Sequence, residues 1–333
     1  MMSKRKSSVE FEKEFRESFG IKDNIVYHYC SLDALYGILS SKSFWLTSLN
    51  SSNDKKELAV SKRILDEVLE RMIIEESSAS DREFYVNVLK ASHENKHLFN
   101  KYIHYYALSC VGEKDSLVHW DRYGKMGEGV CIGINLAILD NFMEMKYGLI
   151  KFRTWLSYGN IIYDKSLQEE HVKEKIAGMI GEKMCILKQV PDIETIFYYT
   201  ILNSIKPLFK DEGFMSEKEY RIILEEETGE READYYIKTG KKNGIDAMES
   251  TGENIKRCLK DFNILTSDKK FGLFESGIRG YYALNLKELW SDTLIPEIVI
   301  GPKCYQNKRE LKDFLRFCGM ERTKVAVSNI PVR

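Results

Sequence analysis

The first apolar run of the chain, IVYHYC at residues 25–30, is short and rich in residues that favour β structure. Its period of two predicts a strand with two distinct faces, one of which carries His28. Ser31 follows as a predicted N-cap, because residues 32–39 carry apolar side chains at helical spacing. A titratable ring therefore lies in an apolar strand just before a helix begins. It either packs in the core or points into a ligand cleft.

The rest of the chain alternates between β-rich runs and long helical segments. Helical periodicity covers 54–101 and 165–207 and returns near 307–318. The β-rich runs are 44–48, 102–111, 130–135, 219–226, 281–286, 297–302 and 324–328. Because no regular βαβ spacing links them, the pattern predicts an α+β fold with a bent, mixed or antiparallel sheet. We predict a single domain over residues 1–333, with helical insertions at about 54–101 and 165–207.

The composition narrows the class of protein. The 333 residues carry a formal net charge of -1, which provides no chain-wide attraction for nucleic acid or acidic lipid. The seven cysteines include no CxxC pair, which favours a reducing compartment over a disulfide framework. No apolar run is long enough to span a bilayer, and no signal-peptide core follows the first residue. We therefore predict a cytoplasmic protein without a membrane partner.

Residues 93–97, HENKH, match the HExxH pattern of zinc peptidases. On a helix, His93 and His97 would share a face and could bind zinc, with Glu94 as the general base. The setting argues against zinc, because Lys96 makes the turn polar and no third ligand follows at the expected spacing. We predict an exposed helical turn without a metal, and a zinc-dependent hydrolase is the third candidate function.

Two further patterns bear on nucleotide chemistry. The stretch YGKMGEGVCIG at 123–133 lacks the GK[ST] end of a P-loop and leads into a strand, so it predicts a tight hairpin. In SEKEYRIIL at 216–224, Glu219 and Arg221 share one strand face, and Glu217 joins them if the strand starts early. Paired carboxylates at the mouth of a strand suit the stabilisation of a cation or the orientation of a ribose hydroxyl. Charged residues are also common at strand ends that have no such role, so a purely structural interpretation of this segment is about as good.

Several stretches together resemble the bacterial family DUF2971, a domain of unknown function. They are YHYCSLDALYGILSSKSFWLTSLNSSND, SCVGEKDSLVHWDRYGKMGEGVCIGIN, FMSEKEYRII, YYALNL, EIVIGPK and the closing SNIPVR, in this order from residue 27 to residue 333. Two positions depart from the family pattern: Cys30 replaces an expected threonine, and Lys55 replaces an expected proline. The family name implies no activity.

The opening segment also resembles the first motif of ADP-ribosyltransferases of the histidine-tyrosine-glutamate class. This resemblance implies an ADP-ribosyltransferase-like bent sheet, with NAD as the substrate and no metal. It also implies that His28 holds the NAD ribose and that Glu219 stabilises an oxocarbenium-like transition state. The two side chains would then face each other across one pocket.

The same resemblance implies the remaining roles. Trp120 or Tyr123 would stack on the nicotinamide ring, and Ser48 would line one rim of the NAD site. Glu217 would orient or activate the acceptor, as the first glutamate of an ExE pair does in the arginine-modifying class. Asn53-Asp54 would lie at the same rim as Ser48, although a helix-capping role is the favoured interpretation for that pair.

The leading hypothesis is therefore an NAD-dependent ADP-ribosyltransferase or NAD glycohydrolase, such as a bacterial toxin or defence effector. Nicotinamide leaves as a neutral group, so the protein mainly has to position the ribose and place negative charge near the developing cation. The alternative is a non-catalytic nucleotide- or protein-binding module on the same fold. The acceptor is unknown and could be a protein, a nucleic acid or a small molecule.

Overall fold

The computed structural model describes residues 24–49, 57–94, 104–147, 156–180, 193–226, 237–242, 244, 246, 249–250, 252–253, 268–274 and 277–331. The strands are β1 (Ile25–Cys30), β2 (Ser43–Ser48), β3 (His104–Val111), β4 (Val130–Asn135), β5 (Leu156–Asn160), β6 (Glu219–Glu226), β7 (Lys270–Phe274), β8 (Gly277–Asn285), β9 (Glu297–Ile300) and β10 (Lys324–Val327).

The α-helices are α1 (Leu32–Ser41), α2 (Glu57–Glu75), α3 (Ala79–Glu94), α4 (Leu117–Arg122), α5 (Leu136–Tyr147), α6 (Lys165–Ile180), α7 (Ile193–Ile205) and α8 (Lys308–Phe317). Two 3-10 turns occupy Lys125–Gly127 and Glu212–Glu217. Within the described ranges, no helix combines the length and the apolar character needed to cross a membrane.

The predicted α+β fold is confirmed. The predicted strands and helices are present in the described ranges, and Ser31 caps α1 by accepting a hydrogen bond from the backbone N–H of Ala34. Helices α2, α3, α6 and α7 occupy the described parts of the two predicted helical insertions. The pattern did not predict α4, α5, β5 or β7, which are short or carry little periodicity. The single-domain assignment and the ADP-ribosyltransferase type of the sheet stay predictions.

The sheet is mixed and mostly antiparallel. Its strands run in the order β10-β9-β4-β1-β3-β2-β8-β7, and β6 pairs with β3 and β5 beside this path. Only β9 and β10 pair in parallel among the described strands. The sheet forks at β3: one edge of this strand pairs with β6 along its whole length, while β1 pairs with it at Val111 and β2 pairs with it at Tyr106 and Ala107.

The two faces of the sheet bury different cores. On the large-core face, α1, α5 and α8 cover buried side chains that include Val26, Phe44, Leu108, Ile132 and Ile222. The opposite, small-core face carries two smaller clusters, with Tyr27, Val111 and Trp120 in one and Tyr105 and Ile223 in the other. Helices α2, α3, α6 and α7 form a separate helical core.

Close backbone contacts hold the loop that follows α4. The backbone N–H of Gly129 donates to the carbonyl of Gly124, and the N–H of Gly301 donates to the carbonyl of Gly129, both at 2.9 Å. The hairpin predicted for this glycine-rich stretch is wrong: α4 and a 3-10 turn precede β4, which pairs with β1 and β9. The glycines are needed because several chain segments approach each other here.

We expect Gly129→Ala to lower the free energy of unfolding by about 1–3 kcal/mol, because a Cβ at this position would lie 2.2 Å from the carbonyl oxygen of Cys30. Gly37→Ala is the control, since an added Cβ on this exposed face of α1 meets nothing within 4 Å. It should leave the stability unchanged or raise it by about 0.5–1 kcal/mol. Urea unfolding of both variants measures this, and equal stabilities would show that the backbones are not in contact.

Candidate functional site

His28 lies at the fork of the sheet, on the large-core face. Its ring nitrogen Nδ1 is 2.9 Å from the carbonyl oxygen of Ser109 on β3. A carbonyl can only accept, so Nδ1 donates and the neutral ring keeps Nε2 as an acceptor. Burial lowers the pKa of His28 more than the bond to Ser109 raises it. The half-buried imidazole thus satisfies a β3 carbonyl beside the fork, packed edge-on against Phe44.

Ser48 shares the large-core face with His28. It pairs with Tyr106 of β3, whose side chain belongs to the large core, and its own side chain is half-buried. The structure therefore keeps these two predicted NAD contacts on one side of the sheet. Asn53 and Asp54, predicted at the same rim, lie outside the described residues.

Glu219 lies on the opposite, small-core face. In the strand register it pairs with Val111, and Val111 pairs with Tyr27, so these three side chains point the same way. His28 is the neighbour of Tyr27 in β1 and points to the other face. The prediction that His28 and Glu219 face each other across one pocket is wrong. The sheet separates them because the alternation of β1 and the pairing through β3 give them opposite orientations.

Ser109 nevertheless contacts both predicted residues. Its carbonyl accepts from His28, and its hydroxyl donates to Oε1 of Glu219 at 2.6 Å. The two groups of one β3 residue thus connect the two sides of the sheet. Nothing in the sequence pattern indicated a role for this serine.

Glu219 forms the centre of a buried ion network. Arg221 donates from Nε to Oε1 at 2.7 Å and from Nη2 to Oε2 at 2.8 Å, and Nζ of Lys210 lies 3.4 Å from Oε2. Burial alone would raise the pKa of Glu219. The positive charges of Arg221 and Lys210 and the hydrogen bonds from Arg221 and Ser109 outweigh it and lower the pKa to about 2. The carboxylate is ionised, and both of its oxygens accept hydrogen bonds from residues inside the protein.

Glu217 joins the network from the 3-10 turn that precedes β6. Asp211 begins this turn by accepting from the N–H of Gly213, and Lys218 ends it in a left-handed conformation with φ 43°. The Glu217 carboxylate accepts a hydrogen bond from Nζ of Lys210 at 2.6 Å and lies 3.4 Å from Nη1 of Arg122. Both glutamates of the ExE pair therefore meet the same lysine.

The two aromatic candidates differ in their accessibility. Trp120 is only 1% exposed, packs against Tyr29, and donates its indole N–H to Asp115 at 2.7 Å. It is a core residue and presents no face to a ligand. Tyr123 is 42% exposed and lies nearly parallel to His119, with ring centroids 6.4 Å apart. Burial and the neighbouring Glu217 carboxylate raise the pKa of the Tyr123 hydroxyl.

The predicted site residues therefore form two groups. His28 and Ser48 lie on the large-core face, while Glu217, Glu219, Trp120 and Tyr123 lie on the other side. Sequence reasoning had placed Arg221 on the strand face of Glu219, but the contributions of Lys210, Ser109 and Arg122 carried no recognisable signal. Among the described residues, no group of three or more histidine, cysteine, aspartate or glutamate side chains could hold a metal. His93 lies in the last turn of α3, and His97 lies outside the described ranges.

The family comparison covers the small-core side of the site. Residues 119–222 match the model of the family described as "Protein of unknown function (DUF2971)". This segment belongs to DUF2971. The predicted family is thus confirmed over a segment that includes Arg122, Tyr123, Lys210 and both glutamates of the ion network. No curated protein and no solved structure matches the chain. The remoter resemblance to ADP-ribosyltransferases stays a prediction.

We expect Glu219→Gln to lower the free energy of unfolding by about 3–5 kcal/mol at neutral pH, because it leaves the buried charges of Arg221 and Lys210 under-compensated. Glu113→Gln is the control, since the pair of Glu113 with Lys218 is about half exposed and should contribute under about 1 kcal/mol.

The stability difference between wild type and Glu219→Gln should depend on pH. The folded pKa of Glu219 is about 2, against an ordinary value of 4.5, so its ionised form stabilises the fold fully above about pH 4.5. The difference should shrink as the pH falls from 4.5 towards 2. Urea unfolding at several pH values tests this, and a constant difference would mean that the carboxylate is not held ionised in the fold.

Proposed function

We propose that this chain binds a nucleotide of the NAD type at the rim formed by Arg122, Tyr123 and Glu217. The observation that carries the proposal is the convergence of a half-exposed guanidinium and a half-exposed aromatic ring on the Glu217 carboxylate. An aromatic ring provides a stacking surface for a base, and a guanidinium provides paired donors for a phosphate. The two groups that a nucleotide needs are therefore adjacent.

The charge balance of the network favours binding of an anion. Glu217, Glu219, Lys210 and Arg221 together sum to zero formal charge, and Arg122 adds a positive charge at the rim. Nucleotides carry their negative charge on phosphates, so a site with one excess cation complements them. NAD in particular is the ligand that the resemblance of the opening segment implies.

The same geometry gives Glu219 no role in contacting a ligand. Its two oxygens accept hydrogen bonds from Arg221 and Ser109 and face Lys210, all inside the protein. Lys210 and Arg221 are themselves buried, so they cannot move aside for a ligand. We therefore assign Glu219 the role of positioning Lys210 and the start of β6.

The second candidate function is cleavage of NAD, by an ADP-ribosyltransferase or an NAD glycohydrolase. The observation that favours it is that Glu217, unlike Glu219, has two half-exposed neighbours, Arg122 and Tyr123. A ligand that displaces them would bring its ribose next to a negative charge, which is what a developing oxocarbenium ion requires. In this proposal Glu217 takes the transition-state role, and His28 contributes no contact because the sheet separates it from the rim.

We expect NAD to bind the wild-type chain and Tyr123→Ala to weaken that binding about tenfold, because stacking on an aromatic side chain contributes about 1–3 kcal/mol. Tyr123→Phe keeps the ring and should bind NAD within about threefold of wild type. Tyr36→Ala is the control for loss of an exposed tyrosine, since Tyr36 lies on α1 over the large-core face and is 64% exposed. Isothermal titration calorimetry measures the affinities, and no binding of NAD to wild type would overturn the proposal.

If the chain cleaves NAD, Glu217→Gln should reduce nicotinamide release at least about a hundredfold while leaving NAD affinity within about threefold, because the interaction belongs to the transition state. The measurement is release of nicotinamide from labelled NAD, with and without cell lysate as a source of acceptor. His28→Asn is the comparison variant and should retain release. Binding without release by wild type would leave the binding function alone, and equal release by Glu217→Gln would exclude the assigned role.

A further inference from the structure

His119 of α4 is a buried histidine that lies between two tyrosines. Its side chain is 2% exposed, and its ring centroid is 5.5 Å from that of Tyr29 and 6.4 Å from that of Tyr123. Tyr29 is buried in the small core, whereas Tyr123 is the half-exposed platform of the rim. The half-exposed ring of the rim therefore lies nearly parallel to the buried imidazole.

The hydrogen bonding of His119 leaves one nitrogen without a donor. Nε2 lies 2.9 Å from the carbonyl oxygen of Glu217, and because a carbonyl can only accept, Nε2 must donate. In the neutral ring Nδ1 is then an acceptor. It is inaccessible to solvent, and no residue in the described part of the chain donates to it.

A buried acceptor without a donor destabilises the fold, so such groups are rare and usually have a reason to persist. The bond from Nε2 anchors His119 to the Glu217 turn and accounts for the donor side of the ring, but it does not account for the unpaired acceptor at Nδ1. The unpaired Nδ1 is thus the part of the ring that neither packing nor the bond to Glu217 explains, and a donor that arrives with a ligand would explain it.

Resting on the proposed nucleotide site, we infer that His119 is a specificity-determining residue: its Nδ1 accepts a hydrogen bond from an N–H group on a heteroaromatic ring bound at Tyr123. A dinucleotide such as NAD offers two donors of this chemistry, the carboxamide of nicotinamide and the exocyclic amine of adenine. A ligand that lacks the N–H group leaves Nδ1 unpaired in a buried place and binds more weakly.

Two substitutions separate this role from the anchoring of the Glu217 turn. His119→Gln places an amide nitrogen near the position of Nε2, so it can still donate to the Glu217 carbonyl while removing the acceptor at Nδ1. His119→Asn places its amide near the position of Nδ1, so it can keep an acceptor there and loses the bond to Glu217. A purely structural histidine would tolerate the first substitution better, with no change in ligand preference from either.

The test compares the affinities of three dinucleotides by calorimetry on the full chain: NAD, its 3-acetylpyridine analogue without the carboxamide N–H, and its hypoxanthine analogue without the adenine amine. We expect wild type to bind one analogue about tenfold more weakly than NAD, which identifies the donor, and the other analogue about equally. His119→Gln should lose this preference, and His119→Asn should keep it. Thermal melting confirms that both variants are folded.

The outcomes distinguish this inference from the proposed function. If wild type binds NAD and both analogues equally, or if His119→Gln retains the preference, the role of His119 is wrong while nucleotide binding stands. If wild type binds none of the three dinucleotides, the proposed function fails and the inference fails with it.

Discussion

The Arg221–Glu219 pair is the interaction on which the small-core side of this protein depends. Arg221 is 2% exposed, and a guanidinium in such a place requires full compensation of its charge and its donors. Glu219 provides two acceptors, and the carbonyl of Pro207 provides a third at 3.0 Å. Because Pro207 precedes the Glu212–Glu217 turn, the pair fixes β6 and the chain that leads into it.

The neighbouring contacts follow from that requirement. The hydroxyl of Tyr163 accepts a hydrogen bond from the backbone N–H of Glu219, and Nζ of Lys210 contacts the carboxylates of both glutamates. Each carboxylate is thus shared by more than one cation, which spreads the positive charge over the network. The only cation of this group with a substantial exposed surface is Arg122, whose side chain is 48% exposed. The exposure of Arg122 thus contrasts with the burial of Lys210 and Arg221, whose charges are paired inside the protein.

The sheet separates the predicted site residues into two groups, one on each face. His28 and Ser48 lie on one side with the large core, and the ion network lies on the other; Ser109 contacts both sides through its carbonyl and its hydroxyl. At the fork, where β1 and β2 diverge along β3, the imidazole of His28 donates a hydrogen bond to the backbone carbonyl of Ser109. This bond gives a histidine in an apolar strand a structural role, because its Nδ1–H satisfies a β3 carbonyl.

The sequence by itself determined the α+β class, most elements and the core-facing positions, because strand and helix periodicities depend on local spacing. It also determined that Glu219 and Arg221 share a strand face, since two residues of separation always return to the same side of a strand. Only the tertiary structure decided which face each strand turned to its neighbours. Local spacing does not show on which face of a shared sheet two distant residues lie, so the prediction placed His28 and Glu219 together. The pairing of β1 with β3 and of β3 with β6 puts them on opposite faces. Lys210, Ser109 and His119 reach the network from distant parts of the chain, and local spacing contains no information on contacts of that kind.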